Sequence, residues 1–196
     1  MAARLFTGKP FPASADMNLQ IGGATLGRIV IKLGGDETSL YSAYRKYGDL
    51  GTAARDVLTS TARESHELSL AEILEIFYKI AGSSGLPAKS ALLERLLMRS
   101  APQEAKYLNK LVSGDLRIGL REILIEEAIA RSHETDLIKV RRANMLLGNI
   151  SETLILAATG GLDETQNTLR PFKPVGMMLA SPVDSVGEGA KKDGPL

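Results

Sequence analysis

An all-α fold follows from three features of the sequence. Apolar residues recur three and four apart, as in Leu70, Ile73, Leu74, Phe77 and Ile80, which puts them on one side of a helix. Capping boxes read at Ser69-Leu-Ala-Glu72 and Ser100-Ala-Pro-Gln103 mark two helix starts, the second with proline in the first turn, where its missing N–H is tolerated. Glycine followed by aspartate or asparagine recurs between helical stretches. The glycine ends one helix and the Asx side chain opens the next.

Met17 to Ile21 reads as a short strand that runs into Ile21-Gly-Gly-Ala-Thr-Leu-Gly27. Tyr47-Gly48-Asp49-Leu50-Gly51 joins two helical stretches. The helix opened by Ser69 ends in the loop Gly82-Ser-Ser-Gly-Leu-Pro87, and Leu92, Leu93, Leu96 and Leu97 form the next apolar face. The helix opened at Ser100 buries Ala105, Leu108 and Leu111 or Val112 and stops at Gly114. A further helix starts near Leu120 and carries Ile123, Leu124, Glu127, Ala128 and Ile129. Asp136 caps a helix that runs to Leu147 and is closed by Gly148. From Leu169 the texture changes: Arg170-Pro-Phe-Lys-Pro174 cannot continue a helix, and Ser185 to Leu196 reads as an irregular tail.

The same grammar occurs twice. Gly48-Asp49 is matched by Leu147-Gly148-Asn149-Ile150-Ser151, Thr7-Gly8-Lys9 by Ser113-Gly114-Asp115, and Gln20-Ile21-Gly22 by Arg117-Ile118-Gly119. This predicts two pseudo-twofold-related helical halves bridged by Arg63 to Ser90. The competing explanation is that helix–Gly–Asx–helix is a generic connector.

Composition narrows the function. Hydrophobic content of 44% and charged content of 24% are those of a globular protein. The net charge is +1, so any nucleic-acid contact must come from a local patch and from helix ends. Cysteine is absent, which excludes disulfides and thiolate metal sites, and tryptophan is absent too. His66 and His133 stand alone, so no metal site is expected. No apolar run has the length of a membrane span. Ile21 to Gly27 fits neither the dinucleotide nor the Walker pattern. Glu126 and Glu127 point apart on a helix and are read as solvated or paired with a basic side chain.

The most telling stretch is Leu111-Val-Ser-Gly-Asp-Leu-Arg-Ile-Gly-Leu-Arg-Glu122. Its glycines allow close approach, the helix that follows offers unpaired N–H groups and a positive dipole end, and Arg117 carries a fork of donors that matches phosphate oxygens. A helix C-cap followed by a tight turn is the simpler explanation. Lys139, Arg141 and Arg142 form a short basic run, and on a helix at most one of the two arginines faces a given surface.

Four blocks resemble the N-terminal DNA-binding domain of ATP-dependent DNA ligases. Ser113-Gly-Asp-Leu-Arg-Ile-Gly-Leu120 with the Glu-Glu-Ala-Ile-Ala that follows is similar to one block of that family, and Lys46-Tyr-Gly-Asp-Leu-Gly-Thr-Ala-Ala54 to a second. Val140-Arg-Arg-Ala-Asn-Met-Leu-Leu-Gly-Asn-Ile-Ser-Glu-Thr-Leu154 is similar to a third, and Phe172-Lys-Pro-Val-Gly-Met-Met-Leu-Ala-Ser-Pro182 to the entry into its catalytic domain. The blocks stand in the family's order and span almost the whole chain.

The resemblance implies a helical DNA-binding domain over 1–169, without the family's opening helices. It also implies a linker and the beginning of the nucleotidyltransferase domain over 170–196, cut before the catalytic lysine. It implies duplex binding without base readout, through minor-groove phosphate and sugar contacts that position nicked DNA. The DNA-contacting residues expected on this basis are Gly8, Lys9, Gly22, Gly23, Gly48, Ser113, Gly114, Arg117, Gly119, Arg121, Arg141, Arg142, Gly148 and Asn149. No catalytic residue and no cofactor are expected in the chain itself, whereas ATP and magnesium are implied for the parent enzyme. The partners implied are double-stranded, nicked DNA and the catalytic domain of the same polypeptide, with a monomeric, cytoplasmic, nucleoid-associated chain.

Lys191-Lys-Asp-Gly194 matches the nucleotidyl-transfer motif in letters, but its polar flank and Gly189 argue against a desolvated nucleophile, so the chain alone should not ligate. Three positions depart from the family pattern. Asn149 still caps, Ser151 is expected to fit a left-handed position poorly, and Gln20 stands where the second half has Arg117. The alternative function is a helical protein–protein module without a DNA role, which the near-zero net charge favours.

Overall fold

The structure, a computed structural model, describes residues 2–61 and 67–162. Among these residues every regular element is helical. Helix α1 spans Ala2–Phe6, and a single 3-10 turn follows at Ala13–Ala15. Then come α2 (Gly23–Lys32), α3 (Glu37–Tyr47), α4 (Leu50–Thr59), α5 (Leu70–Gly82), α6 (Leu86–Arg99) and α7 (Pro102–Ser113). The last three are α8 (Glu122–Ser132), α9 (Leu137–Leu147) and α10 (Ile150–Thr159). None of the helices described is long and apolar enough to cross a membrane. His66, the change of texture at Leu169, the Phe172 to Pro182 block and Lys191 to Gly194 lie outside the described residues.

The helix boundaries follow local chemistry. Ser69 and Glu72 form the reciprocal box: the Ser69 hydroxyl accepts from the Glu72 N–H, and the Glu72 carboxylate accepts from the Ser69 N–H. The second box sits one residue later than the sequence suggests. Ser100 is buried and its hydroxyl donates to the Leu97 carbonyl, closing α6. Ala101 is the residue before α7, and the Glu104 carboxylate accepts from its N–H. Alanine has no acceptor, so only half of a capping box exists there. The stripe on α8 is also rotated. Ile125, Ile129 and Ala130 are buried, while Ile123 and Leu124 are exposed. The expected strand at Met17 to Ile21 pairs with no other strand. Leu19 and Ile21 point inward and Asn18 and Gln20 outward, so the alternation is real, but the segment lies on helices.

Two apolar clusters fill the described interior. One gathers α2 to α7 around Leu26, Val30, Ala53, Leu58, Phe77, Leu93, Leu96 and Leu97, with Phe11, Leu19 and Ile21 laid over it. The other gathers α8 to α10 around Ile129, Val140, Leu147 and Ile150, and receives Ala3 of α1. The three-helix units α2–α4 and α8–α10 share their punctuation. Asp36 caps α3 and Asp136 caps α9; Gly48 and Gly148 end those helices in the left-handed conformation; Asp49 and Asn149 then cap α4 and α10.

Candidate nucleic-acid interface

Two loops lead into the two units: residues 8–22 into α2 and residues 114–121 into α8. They lie against each other. A Cβ built on Gly8, where φ is +79°, would stand 3.3 Å from the Leu116 Cβ, and the Lys9 Nζ lies 3.4 Å from the Glu122 carboxylate. The first loop and the end of α7 line an open groove of about 780 Å³, whose wall includes Gly8, Lys9, Gln20, Gly22, Ser113 and Gly114. Five of the expected DNA-contacting residues, Gly8, Lys9, Gly22, Ser113 and Gly114, therefore line one groove.

The N-terminus of α2 opens from this loop. Gly22 is its N-cap and Gly23 its first residue, so their N–H groups have no partner within the helix. Gly22 has φ −84° and open space around its missing Cβ, so its backbone does not require glycine. Gly119 differs: its φ is +72°, and Arg121, not Gly119, is the residue before α8. The two glycines matched in sequence thus stand at unequal distances from their helices. The residues two positions earlier match better, because Gln20 (φ +54°) and Arg117 (φ +44°) are both non-glycine residues in the left-handed region. Such residues are strained and concentrate at functional sites.

Arg117 is half-exposed but already engaged. Its Nε and one terminal nitrogen grip the Asp115 carboxylate at 2.8 and 2.7 Å, and its other terminal nitrogen donates to the Gly48 carbonyl at 3.0 Å. The hydrogen bond it donates to Asp115 and the carboxylate's charge hold the guanidinium pKa above its ordinary value. Of the five guanidinium N–H groups, three are committed and two remain for an incoming anion. Beneath it, the buried Lys110 Nζ lies 2.7 Å from the Asp49 carboxylate and 3.3 Å from the Leu116 carbonyl. Asp49 also accepts from the Gly51 N–H and the Thr52 hydroxyl. Burial pushes the Asp49 pKa up, but the hydrogen bonds from Lys110 and Thr52 and the lysine charge outweigh it, so the carboxyl ends below its ordinary value.

The remaining predicted residues divide by how their polar groups are used. Gly8, Gly48, Gly114 and Gly148 donate their N–H groups to the carbonyls of Leu5, Tyr44, Leu111 and Asn144, which leaves these donors spent on the chain's own turns. Ser113 donates its hydroxyl to Lys110. Asn149 accepts from the Ser151 N–H as the cap of α10. Ser151 lies inside α10 and needs no left-handed backbone, contrary to the expectation from sequence. Arg121 is exposed at the head of α8. Arg141 turns toward α8 and lies 3.6 and 3.7 Å from Glu126 and Glu127, while Arg142 is exposed on α9. Glu126 is buried and paired with Arg141, the second of the two arrangements expected for it, and Asn144 donates to both Glu126 and Glu122, at 2.8 and 2.9 Å. A polar chain therefore runs from Lys9 through Glu122, Asn144 and Glu126 to Arg141.

Sequence reasoning missed three residues here: Lys89, Lys110 and Asp115. Lys89 is buried and donates to the Gln20 side-chain oxygen at 2.9 Å, so a cation from α6 stands behind the glutamine that replaces an arginine. A lysine on an apolar helix face gives no sequence signal of that kind. Among the described residues, no acidic or histidine group is arranged to hold a metal ion.

The pattern of the family described as DNA ligase N terminus matches residues 1–130. The chain is 44% identical over 189 residues to a probable DNA ligase of Koribacter versatilis, an alignment that covers 96% of this chain and 32% of the relative. It is 33% identical over 195 residues to a DNA ligase of Methanopyrus kandleri, covering 94% of this chain and 34% of that protein. It is 34% identical to a probable DNA ligase of Opitutus terrae over 215 residues, 92% of this chain and 21% of the relative. The chain thus spans between about a fifth and about a third of the length of these relatives. A helical chain matched over residues 1–130 by this pattern, and so similar to these ligases, belongs to the DNA ligase N-terminal family.

Proposed function

We propose that the chain binds duplex DNA without sequence preference, through phosphate and sugar contacts along the minor groove, and so positions nicked DNA for ligation. The observation that carries this reading is the abutment of the two loops around Gly8 and Leu116. It brings the loop that opens α2 at Gly22 against the loop that carries Arg117 and the exposed Arg121. Helix N-termini and arginine forks favour anions, and none of these groups reads a base edge. The chemistry of ligation belongs, in this reading, to a catalytic domain of the same polypeptide. For the parent enzyme ATP and magnesium supply the adenylate and its charge neutralisation. The described residues do not fit either: they hold no acidic cluster for magnesium, and the turn before α2 has no nucleotide-loop pattern.

The test is a fluorescence anisotropy titration with three duplexes of unrelated sequence. Arg117→Ala should weaken binding to each by about 1–3 kcal/mol, the range for charge-assisted hydrogen bonds. A loss confined to one sequence, or no loss at all, would remove Arg117 from the interface.

A further inference from the structure

Each glycine turn of one three-helix unit holds the loop that leads into the other unit. The Gly48 carbonyl, between α3 and α4, accepts from Arg117 in the loop before α8. The Gly148 carbonyl, between α9 and α10, accepts from the Ala13 N–H at 3.1 Å, in the loop before α2. From this reciprocal pairing we infer that Gly48, Gly148 and Ala13 are positioning residues: they latch the two loops into one surface, and do not contact DNA. The inference rests on the proposed DNA-binding reading.

The chemistry of the turns supports the assignment. Both glycines spend their N–H groups inside their own helix caps, so neither has a donor for a phosphate. What each turn offers is a carbonyl, which repels phosphate oxygen and here accepts from the opposite loop. In the left-handed conformation at φ +61° and +57° the chain reverses direction there, and the carbonyl is reached by the opposite loop. Lys110 strengthens one latch by tying Asp49, next to Gly48, to the Leu116 carbonyl. Lys9 and Glu122 tie the two loops to each other. A duplex that touches both loops at once needs their spacing fixed before it arrives, and the latches fix it within the protein.

Ala13 gives the clean test, because its backbone N–H makes the contact to Gly148 and substitution there changes no charge. Pro12 precedes it with φ −62° and ψ 148°, the extended conformation that a following proline requires. Ala13→Pro therefore removes the donor with the local backbone preserved, and Ala13→Ser keeps the donor. Duplex affinity is measured by anisotropy for the unaltered chain and both variants across a salt series, with thermal unfolding as the control. Ala13→Pro should bind about three- to tenfold more weakly, the equivalent of one hydrogen bond, with a shallower salt slope as Lys9 loses its place. Ala13→Ser should match the unaltered chain. A second measurement needs no variant: the Ala13 amide should be protected from hydrogen exchange in the free chain and equally with duplex bound. Ala13→Pro binding within twofold of the unaltered chain, or an unprotected Ala13 amide, would overturn the latch while leaving the DNA-binding reading intact. Failure of the unaltered chain to bind duplex in a salt-dependent way would overturn both.

Discussion

Lys110→Met cuts a buried tie at the candidate interface. The lysine is 5% exposed, and its ammonium meets the Asp49 carboxylate at 2.7 Å and the Leu116 carbonyl at 3.3 Å. Methionine keeps most of the aliphatic volume, so the loss is electrostatic rather than a cavity. Removing one partner of a buried pair costs about 3–5 kcal/mol when the other charge is left stranded. Asp49 is not wholly stranded, because the Gly51 N–H and the Thr52 hydroxyl still donate to it. The expected loss is accordingly smaller, about 2–4 kcal/mol. At about 2–4 °C per kcal/mol for a chain of this size, the shift in Tm is easily read by circular dichroism.

The pH dependence sharpens the test. The Asp49 pKa is lowered in the folded protein, so its contribution is fully present above the ordinary carboxylate pKa of about 4 and is lost as pH falls through the lowered value. Without Lys110 the carboxyl loses its strongest support for ionisation. The difference between the variant and the unaltered chain should then be largest near neutrality and shrink as the solution is acidified below about pH 4. A gap in stability that stays constant across that window, or one under about 0.5 kcal/mol, the level of an ordinary surface change, would refute a buried ion pair as the tie between α4 and α7.

Two further substitutions follow from the same geometry. Lys89→Met should raise Tm and lower duplex affinity together: a buried ammonium with an amide oxygen as its side-chain acceptor is costly, by about 1 kcal/mol or more, yet it supplies the cation behind Gln20. A fall in Tm with unchanged affinity would make Lys89 purely structural. Gly51→Ala should destabilise by about 1–3 kcal/mol despite alanine's better helix propensity, since the new Cβ would stand 2.6 Å from the Lys106 carbonyl oxygen. An increase in stability on urea unfolding would show that α4 can move away from α7.

Much of the helical architecture was legible in the sequence because its signals are local. Ser69 with Glu72, Asp36 and Asp136 as caps, and Gly48, Gly114 and Gly148 as helix ends depend on residues within one turn of each other. The errors arose where a local signal had a distant cause. Met17 to Ile21 alternates because one side rests on helices, not because it pairs as a strand. Ser151 was expected at a left-handed position, but it lies inside α10, and the matching Gly51 is a close approach to α7, with its absent Cβ 2.6 Å from the Lys106 carbonyl oxygen. The site was legible as a set of loops but not as a set of contacts. Nothing near Arg117 in sequence indicates that Gly48 holds it across 69 positions, or that Lys89 reaches Gln20 across the same separation.

The measurement that bears most directly on duplex binding is the salt dependence of binding by the unaltered chain. Among the described residues of the two loops, three cations are exposed, Lys9, Arg117 and Arg121, in a chain whose net charge is only +1. At about 0.9 per phosphate neutralised, three contacts give a slope of about −2.7 for log K against log salt. That slope should be the same for duplexes of unrelated sequence and should fall by about one unit in Arg117→Ala. Binding that is indifferent to salt, or absent at low ionic strength, would contradict phosphate recognition and favour a helical protein–protein module.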